Sequence, residues 1–150
     1  MTTTKLEKTI YSLFEALEKE IPGFQNSPED WEICNGNVAI CIISEEGIVY
    51  GKLFGTDKIE QREIFRIAWQ KASQVWITGH NTGDYEKLVF GGTMDPEDAP
   101  IELPDLIGWV GGQLIQLDDE SHISVGFSGF QGVNDIGIVQ TALKKVLAEE

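Results

Sequence analysis

The sequence has few cysteines, few histidines and few basic residues. Its 150 residues include 2 cysteines, 2 histidines, and 11 lysines and arginines against 25 acids, which gives a formal net charge of −14. Two cysteines, Cys34 and Cys41, do not make a disulfide scaffold, so we expect a reducing, cytoplasmic setting. Neither cysteine neighbours a histidine at a metal-site spacing, which predicts no structural metal. The acidity excludes DNA or RNA as a partner, because phosphate contacts dominate nucleic-acid affinity.

Long apolar runs are also missing. The longest, Val38 to Ile43, has six residues, far below the roughly 20 that span a bilayer. The first residues, Met1 to Lys5, lack the apolar segment of a signal peptide. We therefore expect no membrane partner, and the length predicts one domain over residues 1–150.

Hydrophobic periodicity predicts an α+β fold in which helices pack on an antiparallel sheet. Four segments show helical spacing of apolar residues: 6–21, 60–78, 83–90 and 134–148. Two pairs of β-prone segments predict hairpins: 38–43 with 48–54, and 113–117 with 122–127. The first of these strands is continuously apolar, which is typical of a strand covered on both faces. Residues 93–107 contain three prolines and are expected to form an ordered surface loop.

The ends and faces of the helices can also be predicted. Pro22 with Gly23 is expected to end the first helix and Gly79 the second, while Asn134 is a suitable N-cap for the last. The second helix carries a wide apolar stripe that we expect to face the core. Its members are Ile64, Phe65, Ile67, Ala68, Ala72, Val75 and Trp76.

Three short motifs are chemically suggestive, and each has a plainer structural interpretation. The pair Gly111-Gly112 permits a bend or the close approach of a ligand to the backbone. Residues 126–132 precede a helix, where free amides bind anions, but Asp135 would repel an anion and the dinucleotide fingerprint is absent. The acids at 118–120 lie in a predicted turn, which favours solvated side chains over an acid–base pair.

From Val38 onward the chain resembles the haem-degrading-domain family. The strongest stretch runs from Gly111-Gly112 to Asp135, and Lys71-Ala72 and Thr82 match two further motifs. The resemblance implies a profilin-like α/β/α sandwich around a five-stranded antiparallel sheet. It also implies homodimers, often built into larger rings, and haem or a related tetrapyrrole as the ligand. Whether haem breakdown follows binding is left open.

The resemblance places a ligand site near Thr82 and the double glycine. Thr82 matches a family threonine linked to haem contact, with a helix cap as the alternative. Because threonine is a poor iron ligand, His80 is our own candidate for the axial ligand. Lys71 is a candidate for contact with a propionate, with a solvated helix lysine as the alternative. The predicted cofactor-binding residues are thus Thr82, His80, Lys71, Gly111 and Gly112.

The sequence also departs from the family pattern. Leu114 replaces the proline that follows the double glycine, and Phe54 stands where the family has an arginine. No histidine precedes His80, although some members use one for haem. The propionates of haem would need a local basic group in this acidic chain. Two further functions therefore stay open: a non-binding structural or interaction member of the family, and an enzyme acting on a small organic acid.

Overall fold

A computed structural model describes residues 3–24, 36–90, 110–118, 121–130 and 132–148. These residues form four helices and four strands, which follow one another along the chain in the predicted order. Their bounds are α1 (Thr3–Phe24), β1 (Val38–Ser44), β2 (Val49–Phe54), α2 (Lys58–Thr78), α3 (Thr82–Phe90), β3 (Gly112–Gln116), β4 (His122–Ser128) and α4 (Gly132–Ala148). The loop expected over 93–107 and the residue Cys34 lie outside the described residues.

The strands form one antiparallel sheet in the order β2-β1-β4-β3. Each hairpin contributes two neighbouring strands, and the two hairpins meet where β1 pairs with β4. At the centre of the sheet Cys41 is aligned with Gly51 on one side and Gly126 on the other. The described segments thus contain four strands, and the fifth strand that the resemblance implies is not among them.

Helices cover both faces of the sheet, as the continuous apolar run of β1 predicts. Every residue of β1 is buried, and its side chains alternate between the two faces. Ile40 and Ile42 join the larger core with α1 and α4, whereas Ala39 and Cys41 face Ala68 of α2. Within the described segments no helix is both long and apolar enough to cross a bilayer.

Helix α2 contacts the sheet through small residues rather than through the whole apolar stripe expected. Ala68 and Ala72 are fully buried, but Trp76 is 49% exposed, so its predicted core position is wrong. The cause is the close approach of the helix to Gly126 of β4. A Cβ at Gly126 would lie 2.6 Å from the Ala72 nitrogen and closer still to the Ala68 carbonyl oxygen. With the helix backbone this near, large side chains fit only along its flanks.

Two predicted helix ends move, and one is confirmed. Helix α1 continues past Pro22 to Phe24, whose ring stacks on that of Phe130 with a centroid distance of 6.3 Å. This packing holds the last turn, where the missing proline N–H removes only one hydrogen bond. Asn134 lies inside the first turn of α4 and is not its N-cap. Gly79 ends α2 in the left-handed conformation, with φ of 72°.

Replacing Gly126 tests the close packing of α2 on β4. We expect Gly126→Ala to lower the free energy of unfolding by about 1–3 kcal/mol or more, because the helix must move away from the sheet. Gly23→Ala is the matched control, since a Cβ there meets nothing within 4 Å. It should leave stability unchanged or raise it slightly. Chemical denaturation measures both, and equal effects of the two substitutions would contradict the packing argument.

The buried thiol of Cys41 makes a pH-dependent prediction. Burial raises its pKa from 9.0 to about 12, so above pH 9 the thiol ionises in the unfolded chain but not in the folded one. Stability from this group is therefore present below pH 9 and is lost as pH rises. The loss should reach about 1.4 kcal/mol at pH 10. Denaturation of the wild type and of Cys41→Ala, each below pH 9 and at pH 10, measures this loss of stability, because the variant has no thiol to ionise. Parallel pH profiles would refute it.

Candidate functional site

A buried ion pair lies at the centre of the candidate site. Lys71, on the sheet-facing side of α2, is 2% exposed. Its Nζ donates hydrogen bonds to the Phe127 carbonyl oxygen at 2.9 Å and to Asp135 Oδ2 at 3.1 Å. The other carboxylate oxygen of Asp135 accepts from the Phe130 N–H at 2.9 Å. The pair therefore joins α2 to the end of β4 and to the first turn of α4.

The chemistry of Lys71 follows from this enclosure. Desolvation lowers the pKa of its ammonium group, and the charge and hydrogen bond of Asp135 oppose that shift. Bringing a lone ammonium out of water costs several kcal/mol, so the carboxylate is what makes the buried position tolerable. Lys71 is thus not a solvated helix lysine, and its ammonium group points at protein atoms. The negative charge of Asp135 is neutralised by Lys71, so it is not directed at an incoming anion.

The double glycine packs against this pair. Gly111 has φ of +132°, and a Cβ there would lie 2.7 Å from Lys71 Nζ and 2.8 Å from the Phe127 carbonyl oxygen. A Cβ at Gly112 would collide with the Thr82 methyl group and lie 3.0 Å from the Lys71 carbonyl oxygen. Both glycines therefore permit close packing, and the atoms that pack against them belong to other residues of the protein.

The start of α3 covers the outer edge of β3. Thr82 is fully buried, and its Oγ1 accepts a hydrogen bond from the Gly112 N–H at 3.1 Å. Asn81 Oδ1 accepts from the Leu114 N–H at 2.8 Å. These two side chains satisfy backbone donors that an edge strand would otherwise present to water. Thr82 thus serves the strand edge and not only its own helix.

His80 lies at the margin of this cluster. It is exposed, its backbone N–H donates to Thr78 Oγ1 at 3.2 Å, and its ring is 6.4 Å from that of Tyr85 between centroids. Tyr85 is fully buried, burial raises the pKa of its hydroxyl, and no described residue hydrogen-bonds to that hydroxyl. Of the five predicted residues, four form one cluster and His80 is next to it on the surface.

An open groove of about 540 Å³ lies between β3 and α4. Its apolar wall includes Ile115, Leu143 and Leu147, and Lys144 is another of the lining residues. The buried Gln113 accepts a hydrogen bond from Gln140 of the groove wall at 2.6 Å. Its own amide nitrogen has no partner among the described residues.

Leu114 connects the groove to the predicted site. Leu114 is one of the residues that line the groove, and its backbone N–H is bonded to Asn81, the residue after His80. Sequence reasoning missed the groove, because its α4 residues show only the core stripe and polar flanks of an ordinary amphipathic helix. For Asp135 the sequence shows only a position in the first turn of a helix and gives no sign of its pairing with Lys71.

No group of three or more potential metal ligands occurs within the described segments.

Comparison by sequence gives no match to a protein-family profile or to a curated protein. Comparison of structures does. The chain is similar to PduOC, solved in complex with haem, with 16% identity, 91% of each chain covered and a TM-score of 0.65. It is similar to the ORFY protein of Klebsiella pneumoniae, with 16% identity, 95% of this chain and 90% of that one covered, and a TM-score of 0.68.

A third similar structure is a double mutant of HbpS from Streptomyces reticuli. The identity is 14%, the match covers 97% of this chain and 86% of that one, and the TM-score is 0.59. At these identities the likeness is one of fold. The resemblance to the haem-degrading-domain family seen in the sequence is thus confirmed at the level of the fold.

The ion pair can be tested by a double-mutant cycle. Lys71→Met leaves the buried Asp135 carboxylate without its cation, and we expect a loss of about 3–5 kcal/mol in the free energy of unfolding. Adding Asp135→Asn removes that stranded charge, so the double variant should be more stable than Lys71→Met alone. Urea denaturation of the four proteins gives the coupling energy. Additive effects would show that the two groups do not depend on each other.

Proposed function

We propose that this protein binds haem or a related tetrapyrrole in the groove between β3 and α4. The observation that carries the proposal is the groove itself, whose volume of about 540 Å³ falls within the range of small-molecule sites. The fold is shared with PduOC, which was solved with haem. That likeness selects haem as the first ligand to test.

The residues around the groove fit the chemical demands of haem. Leu143 and Leu147 supply apolar surface for the ring system, and Lys144 supplies a cation for a propionate. The amide nitrogen of Gln113 is a buried donor without a partner among the described residues, and the oxygen of the same amide accepts a hydrogen bond from Gln140 of the groove wall. His80 is the candidate axial ligand, and haem, when bound, supplies an iron centre that its axial ligand tunes.

In this proposal the buried cluster has a positioning role. Lys71, Gly111 and Gly112 fix the start of β3 against α2, and Thr82 fixes the start of α3 against β3. Together they determine where His80 stands relative to the groove. The cluster thus positions the site without contacting the ligand, and the residues that contact the ligand are His80 and Lys144.

Self-association and location complete the proposal. We propose that this single-domain protein works as an oligomer in the reducing cytoplasm. Support for self-association comes from large apolar side chains in water, among them Trp69, Trp76 and Leu53. Support for a reducing setting comes from Cys41, which is a buried free thiol.

A second candidate function is that of a non-binding structural or interaction protein. The observation in its favour is that protein atoms fill the space beside Gly111 and Gly112, where the resemblance placed the ligand. Under this function the fold is retained, and the groove is an incidental feature of its surface. We propose no catalysed reaction.

Titration with hemin distinguishes the two functions. We expect a saturable Soret shift whose affinity falls about tenfold or more in His80→Ala, because an iron–imidazole bond is lost. His122→Ala is the matched control, since His122 is half exposed and paired with Glu45 at 3.1 Å. It should bind hemin as the wild type does.

The propionate contact has its own matched pair of variants. Lys144→Gln should weaken hemin binding, whereas Lys145→Gln should not, because Lys145 is paired with Glu20 and does not line the groove. A spectrum unchanged at micromolar wild-type protein would overturn haem binding and favour the structural function. Equal losses in the two histidine variants would overturn the role of His80.

A further inference from the structure

We propose that two copies of this chain associate by pairing their β2 strands, with the adjoining flank of α2 completing the interface. The surface consists of six apolar residues, and we call it the β2–α2 surface: Ile48, Val49, Leu53, Phe65, Trp69 and Trp76. The inference deepens the self-association proposed above, on which it rests, and it is independent of haem.

Among the described residues, strand β2 is an open edge of the sheet. Within them it pairs with β1 alone, and no hydrogen bond from another of these residues reaches its outer side. The opposite edge differs, because Thr82 and Asn81 bond to the backbone of β3. An open edge with apolar side chains is a template for another strand, and natural proteins blunt such edges unless they use them.

The α2-facing side of β2 is apolar and only partly covered. Val49 and Leu53 are 51% and 45% exposed, and they point to the same face as Gly51, which lies between them. A Cβ at Gly51 would be 2.7 Å from the Phe65 ring. Phe65 therefore lies over the middle of the strand, and the exposed strand residues continue directly onto the helix.

Two tryptophans extend this surface along α2. Trp69 and Trp76 follow Phe65 at spacings that keep all three on one flank of the helix. Trp76 reaches the β1–β2 turn, where its Cζ2 atom would be 3.6 Å from a Cβ at Gly47. The two indoles are each about half exposed, which leaves on the order of 200 Å² of aromatic surface in water. This area can supply the apolar core of an interface that takes about 800 Å² from each partner.

The strand is suited to pairing with a second copy of itself. Antiparallel pairing centred on Gly51 sets Val49 of one copy opposite Leu53 of the other, and Tyr50 opposite Lys52. Both cross-strand pairs are favourable, because the first joins two apolar side chains and the second sets a cation beside an aromatic ring. No like charges face each other in this register.

The charge of the surroundings also favours a second copy at this place. Two chains of −14 repel each other, so they meet most readily where the local charges are close to balanced. The exposed cations at the start of α2 outnumber the acids of that helix, and two further acids lie in the β1–β2 turn. The cations are Lys58, Arg62 and Arg66, and the acids are Glu60 and Glu63 on the helix and Glu45 and Glu46 in the turn. These residues are suited to the polar rim of an interface, with the six apolar residues at its centre.

Sedimentation velocity on the full chain tests the proposal. At about 100 µM the wild type should sediment as a dimer or a multiple of it, and Leu53→Glu and Trp69→Glu should each raise the dissociation constant about tenfold or more. Val133→Glu is the matched control, because Val133 is an exposed apolar residue on α4. It should leave the wild-type mass unchanged. Circular dichroism and thermal unfolding establish that each variant is folded.

A monomeric wild type at that concentration would overturn the proposal. So would an oligomer that both Glu variants leave intact, because self-association would then use another surface. Hemin titration is read separately from the mass. A dimer that binds no hemin removes the haem proposal and supports this one, whereas a monomer that binds hemin does the reverse.

Discussion

A lysine enclosed in a protein interior needs an anion, and Lys71 pairs with Asp135, which lies 64 residues further along the chain. The rest of the site depends on this contact. It binds α2 to the end of β4 and to the beginning of α4, so three elements distant in sequence share one charge pair. Removing either partner strands the other charge in a medium that cannot solvate it. The arrangement is therefore held as a unit and cannot be dismantled one residue at a time.

Neighbouring features follow outward from that pair. Gly111 leaves room for the ammonium group, and Gly112 leaves room for Thr82. Thr82 and Asn81 then attach the start of α3 to the edge of β3. His80 precedes Asn81 in the same turn and is exposed. Glycines that look suited to a ligand thus admit side chains of the protein, and the groove lies further along β3, from Leu114 to Gln116.

Much of this fold could be predicted from local patterns. The apolar run of β1 indicated cover on both faces, and the helical stripes located all four helices. The resemblance selected Lys71, Thr82, Gly111 and Gly112, which do lie together. The partner of Lys71 could not be predicted, because nothing local to Asp135 distinguishes it from any acid in a first helical turn. Only the tertiary fold brings the two together.

The position of Trp76 on α2 was predicted wrongly for a related reason. An apolar stripe gives the preferred side of a helix but not the distance at which the helix packs. Gly126 allows α2 to come so close to β4 that Trp76 has no space between them. The indole is displaced to the flank, where it becomes surface. The groove was missed because it is formed by two elements, and neither of them shows it alone.

The covering of β3 by Thr82 and Asn81 limits how far the sheet can be extended by strands of further copies. A sheet with two bare edges can add copies at both ends without limit, and such open-ended growth leads to fibres. Here one edge is already closed by side chains of the same molecule. If β2 pairs with β2 about a twofold axis, each copy uses its uncovered edge, and the combined sheet ends at a closed edge on both sides. The described strands of the two copies then form one sheet of eight, with a covered edge of β3 at each end.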